Sequence, residues 1–308
     1  MDKRNFCKKW IVLGIICIFF GASVIPLTTA DSNREFGNLT LNGDTLYVGG
    51  SGPGNYSKIK DAVDNASDGD TVFVFDDSSP YIERIQIRKT IQLIGENKET
   101  TVIDAGSTSY TNVVEIYHNV SGVTINGFTI KQGMHGIDIY GDGYNIISNN
   151  NIIENNFPLI IRKNAVNNLI SDNYIDAAGE KVSLTIVSSN NIFKNNIIAN
   201  DDGIEFLESH NNTIEFNEFK NLTWGIVFHR AYNNKIFNNN FIDCRNCALQ
   251  YIRYDNGYRF RIRNRWYGNF WNRPRVLPKA IIGIVILLPI IHPLFNFDCH
   301  PANEPYQI

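Results

Sequence analysis

The sequence predicts an all-β fold, a right-handed, single-stranded parallel β-helix with coils of about 22 residues. Three observations predict it. Asparagine accounts for 41 of the 308 residues, although it is unfavourable inside helices and strands and belongs in turns or side-chain ladders. An asparagine pattern recurs about every 22 residues between residues 120 and 256. Within each repeat, apolar β-branched or aromatic residues alternate with polar ones, as in strands.

The repeats align in three columns. The first asparagine column contains Asn145, Asn168, Asn191, Asn212 and Asn234. The second, five residues later in each repeat, contains Asn150, Asn173, Asn196, Asn217 and Asn239. The apolar column between them contains Ile147, Ile170, Phe193, Ile214 and Ile236. Parallel coils that rise about 4.8 Å each place these columns in register, so that the amides hydrogen-bond from coil to coil. A leucine-rich repeat has a similar period but requires leucine at these positions.

Each period also contains a second strand. Its inward positions are predicted to be Ile137, Leu159, Val182, Ile204 and Ile226. Its outward positions are predicted to be residues 138, 160, 183, 205 and 227. Before the repeats, residues 57–66 have the apolar spacing of a short amphipathic helix, which can cover the open end of the solenoid. We therefore expect a helical cap over about residues 44–75 and repeats over about residues 90–256.

The two ends of the chain differ from the repeats. Residues 1–30 combine basic residues, an apolar run from Trp10 to Leu27 and a small-residue exit at Thr28–Ala30, which is typical of an export signal. A retained membrane anchor is the alternative for this segment, and either makes the rest extracytoplasmic. Residues 31–272 are then the β-helix with its N-terminal cap, and residues 273–308 form a C-terminal cap or tail.

The net charge and the cysteine content limit the kinds of partner and scaffold that the sequence allows. The formal net charge of -3 disfavours nucleic acid. Three cysteines remain after the signal, Cys244, Cys247 and Cys299, too few for a disulfide scaffold. For Cys244 and Cys247 we consider buried thiols, a local disulfide and a zinc site, and assign no metal there.

Several N-terminal motifs resemble a known family. Residues 60–72, 81–83, 90–96 and 101–104 look like the capped N-terminus of secreted parallel β-helix proteins. The N-x-I-x-x-N columns are similar to the PbH1 repeats of the NosD-like group, abundant in archaeal surface proteins and part of the pectin-lyase-like superfamily. The resemblance covers about residues 44–272. It implies the fold, whereas members of that superfamily include lyases, hydrolases, binding modules and phage tail spikes.

One outward strip is a candidate carbohydrate-binding site. Glu208 and Arg230 are 22 residues apart and therefore occupy neighbouring coils. The strip is predicted to contain six residues: Tyr140, Glu205, Glu208, His229, Arg230 and Tyr232. Aromatic faces can stack on sugar rings while charged groups bind hydroxyls, so a polysaccharide or cell-surface glycan is the expected partner. A surface salt-bridge ladder is the alternative.

No catalytic residues are assigned. Asp138 and Glu205 share the outward column but lie three coils apart, about 14 Å, whereas glycoside hydrolysis needs about 5 to 9.5 Å. No run of acidic residues predicts the calcium cluster of a pectate-type lyase. A polysaccharide lyase or glycoside hydrolase nevertheless stays as the alternative function, with calcium as its possible cofactor.

The tail offers His292, Asp298, Cys299 and His300 as conceivable copper or zinc ligands. The copper association of the NosD name makes copper handling a second alternative, although the resemblance assigns no ligand to these residues. The sequence therefore predicts a secreted or cell-surface β-helix protein with a structural or carbohydrate-binding role and no cofactor.

Overall fold

A computed structural model describes residues 43–106, 111–177, 182–253, 264–273, 277–287 and 290–308. The predicted export signal, residues 1–30, lies outside the described residues. No helix in the described ranges is long and apolar enough to cross a membrane.

Apart from the first strand, which leads into the helical cap, each coil contributes one strand to each of three faces. The first face is a 10-stranded sheet: β1 (Thr45–Val48), β2 (Thr71–Val74), β5 (Gln92–Gly95), β8 (Thr124–Asn126), β11 (Ile146–Ser148), β14 (Leu169–Ser171), β17 (Ile192–Lys194), β19 (Thr213–Glu215), β21 (Lys235–Phe237) and β24 (Arg265–Tyr267). Its strands pair in parallel throughout, for example Ile147 with Ile170 and Ile170 with Phe193. The predicted parallel β-solenoid is confirmed.

The other two faces join into a 17-stranded sheet, because β18 and β20 run through the corner between them. The second face contains β3 (Tyr81–Ile82), β6 (Val102–Asp104), β9 (Thr129–Lys131), β12 (Asn151–Asn155), β15 (Tyr174–Ala177), the first parts of β18 (Ile197–Leu207) and β20 (Glu218–His229), β22 (Asn240–Ile242) and β25 (Phe270–Trp271). The third face contains β4 (Ile85–Ile87), β7 (Asn112–Ile116), β10 (His135–Ile139), β13 (Phe157–Ile161), β16 (Val182–Ile186), the last parts of β18 and β20, β23 (Asn246–Arg253), β26 (Lys279–Leu287) and β27 (Ile290–Asp298).

The core is a stack of apolar columns, one from each face. The predicted column from Ile147 to Ile236 is fully buried and extends to Ile125 before it. In a second column the rings of Phe219, Phe241 and Trp271 stack at 4.8 and 4.4 Å. Burying one such side chain contributes about 1.5–3 kcal/mol, so the columns supply most of the driving force for stacking.

A short helix covers the N-terminal end of this core. Helix α1 (Ile59–Asn65) lies within the predicted residues 57–66 and buries Ile59, Ala62 and Val63. The carboxylate of Glu83 accepts hydrogen bonds from the backbone N–H groups of Ile59 and Lys60 at 3.0 and 2.9 Å. These bonds satisfy N–H groups that a first helical turn leaves without partners.

Both predicted asparagine columns form buried hydrogen-bond ladders. The backbone N–H and the Nδ2 of Asn173 donate to Oδ1 of Asn196 at 3.1 and 3.0 Å. In turn, Nδ2 of Asn196 donates to Oδ1 of Asn217 at 2.9 Å and to the Ile170 carbonyl at 2.8 Å. Each amide therefore accepts from one coil and donates to the next.

The ladders run further than the sequence predicted. Asn234 donates to Asn264, and Asn239 donates to Asn269, at 2.9–3.0 Å. These steps are 30 residues long, because this coil contains eight more residues than the usual 22. A search for repeats at a fixed period of 22 residues misses such a long coil, although the hydrogen bonds between the asparagine amides continue through it.

The two asparagines of each doubled pair have different structural roles. Asn190, Asn195 and Asn233 have φ between 54° and 61°, in the left-handed region, and each directly precedes a ladder residue. Asparagine tolerates this conformation better than other side chains except glycine. The first asparagine of each pair thus turns the chain, and the second joins the ladder.

The C-terminal segment extends the third face. Strand β26 pairs in parallel with β23, and β27 returns antiparallel to β26. The apolar run near residues 280–291 therefore belongs to a β-hairpin at the end of the solenoid, where the sequence predicted a cap.

Replacing one ladder amide is expected to destabilise the whole solenoid. Asn196→Ala removes the acceptor of two Asn173 donors and the donor to Asn217, all buried, at a cost of about 3 kcal/mol or more in the free energy of unfolding. Guanidinium denaturation followed by circular dichroism measures it. The matched control is Asn195→Gly, which keeps the left-handed turn and should cost less than about 1 kcal/mol. Equal losses in the two variants would contradict a stabilising ladder.

Candidate functional site

The third face carries the candidate sites on its outer surface. Ile137, Leu159, Leu184, Ile204 and Ile226 form its inward column, and all are buried. The residue that follows in each strand occupies an outward position. These positions form one outward column: Glu115, Asp138, Ile160, Thr185, Glu205 and Val227. Outward side chains at one position therefore stand about 4.8 Å apart along the solenoid.

The predicted inward and outward positions of the third face were wrong by two residues in one coil. Leu184 rather than Val182 points inward, and Thr185 rather than Ser183 occupies the outward column. Ser183 pairs instead at the position of Gly203 and is fully buried. The step from Leu159 to Leu184 is longer than the usual period and the step to Ile204 is shorter, so a constant period of 22 misplaced this strand.

Four of the six predicted strip residues form two ion pairs, and both pairs join the same two consecutive coils. Nε2 of His229 lies 3.0 Å from Oε1 of Glu205. Arg230 donates from one terminal nitrogen to Oε1 of Glu208 at 2.7 Å. The pair of Arg230 and Glu208 is solvent-exposed and contributes only about 0–1 kcal/mol to stability, whereas the pair of His229 and Glu205 is partly exposed. Their groups are fixed in position at little energetic cost, as a binding surface requires.

An aromatic pair borders these ion pairs. The rings of His210 and Tyr232 stack with centroids 5.1 Å apart and an interplanar angle of 27°. Tyr232 is 40% exposed. We call Glu205, Glu208, His210, His229, Arg230 and Tyr232 the C-terminal strip. Tyr140 does not belong to it, because register places it four coils before His229, about 19 Å away.

Tyr140 instead borders a cluster that the sequence analysis missed, centred on Asp138. Arg162 donates from Nε to Oδ1 of Asp138 at 2.9 Å and from its NH2 nitrogen to Oδ2 at 2.8 Å. Oδ2 also accepts from Nδ1 of His135 at 3.1 Å and from Nδ2 of Asn112 at 3.3 Å. Both oxygens of this fully buried carboxylate are thus occupied, so Asp138 is an orienting group and not a nucleophile.

The charge state of Asp138 follows from these contacts. Burial raises the pKa of its carboxyl, but hydrogen bonds from Arg162 and His135, together with the Arg162 charge, outweigh burial, and the pKa lies below its usual value. The Arg162 guanidinium also lies over the Tyr140 ring, 4.8 Å from the centroid. Burial and the Asp138 charge raise the pKa of the Tyr140 phenol, which stays protonated.

The acidic neighbour of Asp138 is Glu115, on the coil before it, and not Glu205. Glu115 lies 23 residues before Asp138, close to the repeat period. Its coil lacks the doubled asparagines, however, and so fell outside the repeat search. The spacing of 23 residues was the one sequence feature that could have revealed Glu115 as the neighbour of Asp138.

The predicted metal ligands of the tail are not available as a set. The carboxylate of Asp298 is fully buried and accepts five hydrogen bonds, from Gly268 N, Asn269 N, Asn269 Nδ2, Trp271 Nε1 and His300 N. It therefore terminates the second asparagine ladder in place of another amide. The side chain of His292 lies outside the described residues, and only Cys299 and His300 remain.

No group of three or more His, Cys, Asp or Glu side chains among the described residues is placed to hold a metal ion. The copper alternative for the tail also includes His292 and therefore stays a prediction. Cys244 and Cys247 are both buried. A hydrogen bond with Cys247, together with burial, raises the pKa of the Cys244 thiol far above its usual value, which favours the protonated thiol.

This fold defines a parallel β-helix protein whose third face presents exposed polar groups such as Glu208 and Arg230. The family model described as periplasmic copper-binding protein (NosD) matches residues 63–276. Because the match spans more than half of the chain, the protein belongs to the NosD family. The periplasmic description agrees with a location outside the cytoplasm.

Solved structures are similar at low identity. Escherichia coli YbhC is 12% identical, with a TM-score of 0.45 over 81% of this chain and 87% of that one. Carrot pectin methylesterase is 11% identical, with a TM-score of 0.38 over 72% and 82% of the two chains. The A-module of Azotobacter vinelandii mannuronan C-5 epimerase AlgE4 is 13% identical, with a TM-score of 0.38 over 69% and 83%. No curated protein matches the chain.

Asp138 is expected to make stability depend on pH in the acid range. Its folded-state pKa lies below the unfolded value near 3.8, so its stabilisation is complete above that value and is lost as pH falls through the folded-state pKa. The difference in free energy of unfolding between wild type and Asp138→Asn should therefore shrink on acidification. Urea denaturation at a series of pH values tests this. Glu208→Gln, which breaks an exposed ion pair, is the control, and an equal pH dependence in both variants would contradict the assignment.

Asp298 is expected to stabilise the fold without any metal. Asp298→Ala leaves five N–H donors without their acceptor and should cost about 3 kcal/mol or more. Asp298→Asn retains one acceptor oxygen and should cost less. Thermal unfolding with a copper chelator and with added copper measures both variants. Destabilisation seen only when copper is present would identify Asp298 as a metal ligand instead.

Proposed function

We propose that this protein is an exported, cell-surface β-helix that binds a polysaccharide or cell-surface glycan on its third face. The observation that carries the proposal is the C-terminal strip, where a stacked aromatic pair adjoins two ion pairs on consecutive coils. Export is supported by the signal pattern of residues 1–30 and by the periplasmic description of the family.

The chemistry of the strip suits sugars. The exposed ring of Tyr232 can pack on the apolar face of a pyranose, and Tyr rings bury large areas with little loss of conformational entropy. Carboxylates of Glu205 and Glu208 accept hydrogen bonds from hydroxyls, while Arg230 donates to ring and hydroxyl oxygens. The ion pairs hold these groups in place before the ligand arrives, which lowers the entropic cost of binding.

The solenoid geometry suits a polymer. Equivalent outward positions recur about every 4.8 Å along one straight axis. A glycan chain that lies along this axis can contact several coils, and each additional contact raises the affinity through effective concentration. A structural role at the cell surface is compatible with the same arrangement, because the ligand then anchors the solenoid.

A glycan array followed by titration calorimetry tests the proposal. We expect the purified protein to retain at least one polysaccharide, and Tyr232→Ala to weaken that binding about tenfold, because it removes one stacking contact worth about 1 kcal/mol or slightly more. Tyr267→Ala is the matched control, since Tyr267 is more exposed than Tyr232 but lies on the first face.

Two results would overturn the proposal. One is the absence of binding to every glycan on the array. The other is an equal loss of affinity in Tyr232→Ala and Tyr267→Ala, which would place the ligand away from the C-terminal strip.

A further inference from the structure

The cluster around Asp138 is separate from the C-terminal strip and is built differently. Register places Arg162 three coils before His229, about 14 Å along the solenoid. In the strip, the charged groups that pair with one another are all partly or largely exposed. In the cluster, one buried carboxylate orients two side chains that are themselves partly exposed, His135 and Arg162.

His135 is held with one ring nitrogen occupied. Its Nδ1 lies 2.7 Å from Oδ1 of Asn112 and 3.1 Å from Oδ2 of Asp138. Both of these oxygens are acceptors, so Nδ1 carries the proton and donates it to them. In neutral imidazole, Nε2 then holds a lone pair, and Nε2 has no hydrogen-bond partner among the described residues. A carboxylate that fixes the tautomer in this way prepares the other nitrogen to act as a base.

Arg162 completes the pair. Asp138 occupies its Nε and NH2 nitrogens, and the Tyr140 ring lies against its guanidinium. The NH1 nitrogen has no partner among the described residues, and the side chain is 36% exposed. Since His135 and Arg162 both contact Oδ2 of Asp138, a base and a cationic donor are held around one anchor.

We infer that this cluster is a hydrolytic site for acyl esters, such as O-acetyl groups, carried by the glycan. The inference rests on the proposed function, which brings the glycan to this face. Nε2 of His135 removes a proton from water as the water oxygen attacks the acyl carbon, and the NH1 group of Arg162 stabilises the negative charge on the carbonyl oxygen. Collapse breaks the bond between the acyl carbon and the sugar oxygen. The imidazolium then returns its proton to that oxygen, giving a carboxylic acid and a free hydroxyl.

The contacts favour this reaction over two others. A retaining glycosidase needs a carboxylate free to attack, and both oxygens of Asp138 are occupied by four donors. Elimination needs an acid for the leaving oxygen in addition to the base, whereas the contacts of the cluster hold one base and one cationic donor. Ester hydrolysis needs only the base and the donor, since the same imidazole returns the proton.

Hydrolysis of p-nitrophenyl acetate and release of acetate from O-acetylated xylan test the inference on the purified protein. We expect turnover above the rate in buffer, a loss of 10²-fold or more in His135→Ala and about 10²-fold in Arg162→Lys. Free imidazole should restore part of the rate in His135→Ala, an effect that a purely structural histidine would not show. His118→Ala is the matched control, because His118 is an exposed histidine of the same region, in ring contact with Tyr140, and its variant should keep full activity.

Absence of turnover with both esters would overturn the inference, as would equal losses in His118→Ala and His135→Ala. Release of an unsaturated sugar would show elimination and overturn it as well. Failure of the two proposals can be told apart. Turnover of p-nitrophenyl acetate without glycan binding would contradict only the proposed glycan binding. Glycan binding without turnover would contradict only the proposed hydrolytic site.

Discussion

The buried asparagine amide is the interaction on which the rest of this structure depends. An amide has both a donor and an acceptor, so in a stacked coil it must find one partner above and one below. Asn196 meets this condition through Asn173 and Asn217. A buried amide without these partners would cost about 1–3 kcal/mol for each unsatisfied group. The ladder therefore fixes the register of every coil that it joins, and with it the stacking of the apolar core.

Fixed register also creates the outer surface. Because turns at the ladder positions hold each coil in the same phase, side chains at equivalent positions of the third face form straight columns. The exposed ion pairs of the C-terminal strip and the Asp138 cluster are consequences of that alignment, since their partners are 22 to 24 residues apart in sequence. The fold thus brings side chains that are 22 to 24 residues apart in sequence into contact across neighbouring coils.

Sequence reasoning succeeded where the ladder is regular and failed where coil length changes. The doubled asparagines predicted the coils from Asn145 to Asn239 and the pairing of Glu208 with Arg230. Asn264 and Asn269 were missed because their coil is eight residues longer, and Leu184 was misplaced because its coil is longer than its neighbours. The Asp138 cluster was missed for a different reason. The 24-residue spacing of Arg162 and Asp138 is compatible with neighbouring coils, but spacing does not reveal that the carboxylate is buried. The sequence comparison also paired Asp138 with Glu205 instead of its true neighbour, Glu115.

The carboxylate of Asp298 has a consequence for how these molecules meet one another. Every asparagine in the ladder passes an N–H group to the next coil, but a carboxylate accepts and has nothing to donate. An amide in this place would offer an unpaired donor at the end of the stack, where a second solenoid could continue the pattern, as happens when open strand edges associate. Asp298 ends the series chemically as well as sterically. The acidic residue at this position thus leaves no unpaired amide donor at the end of the described ladder, which removes one means by which the ends of two solenoids could pair.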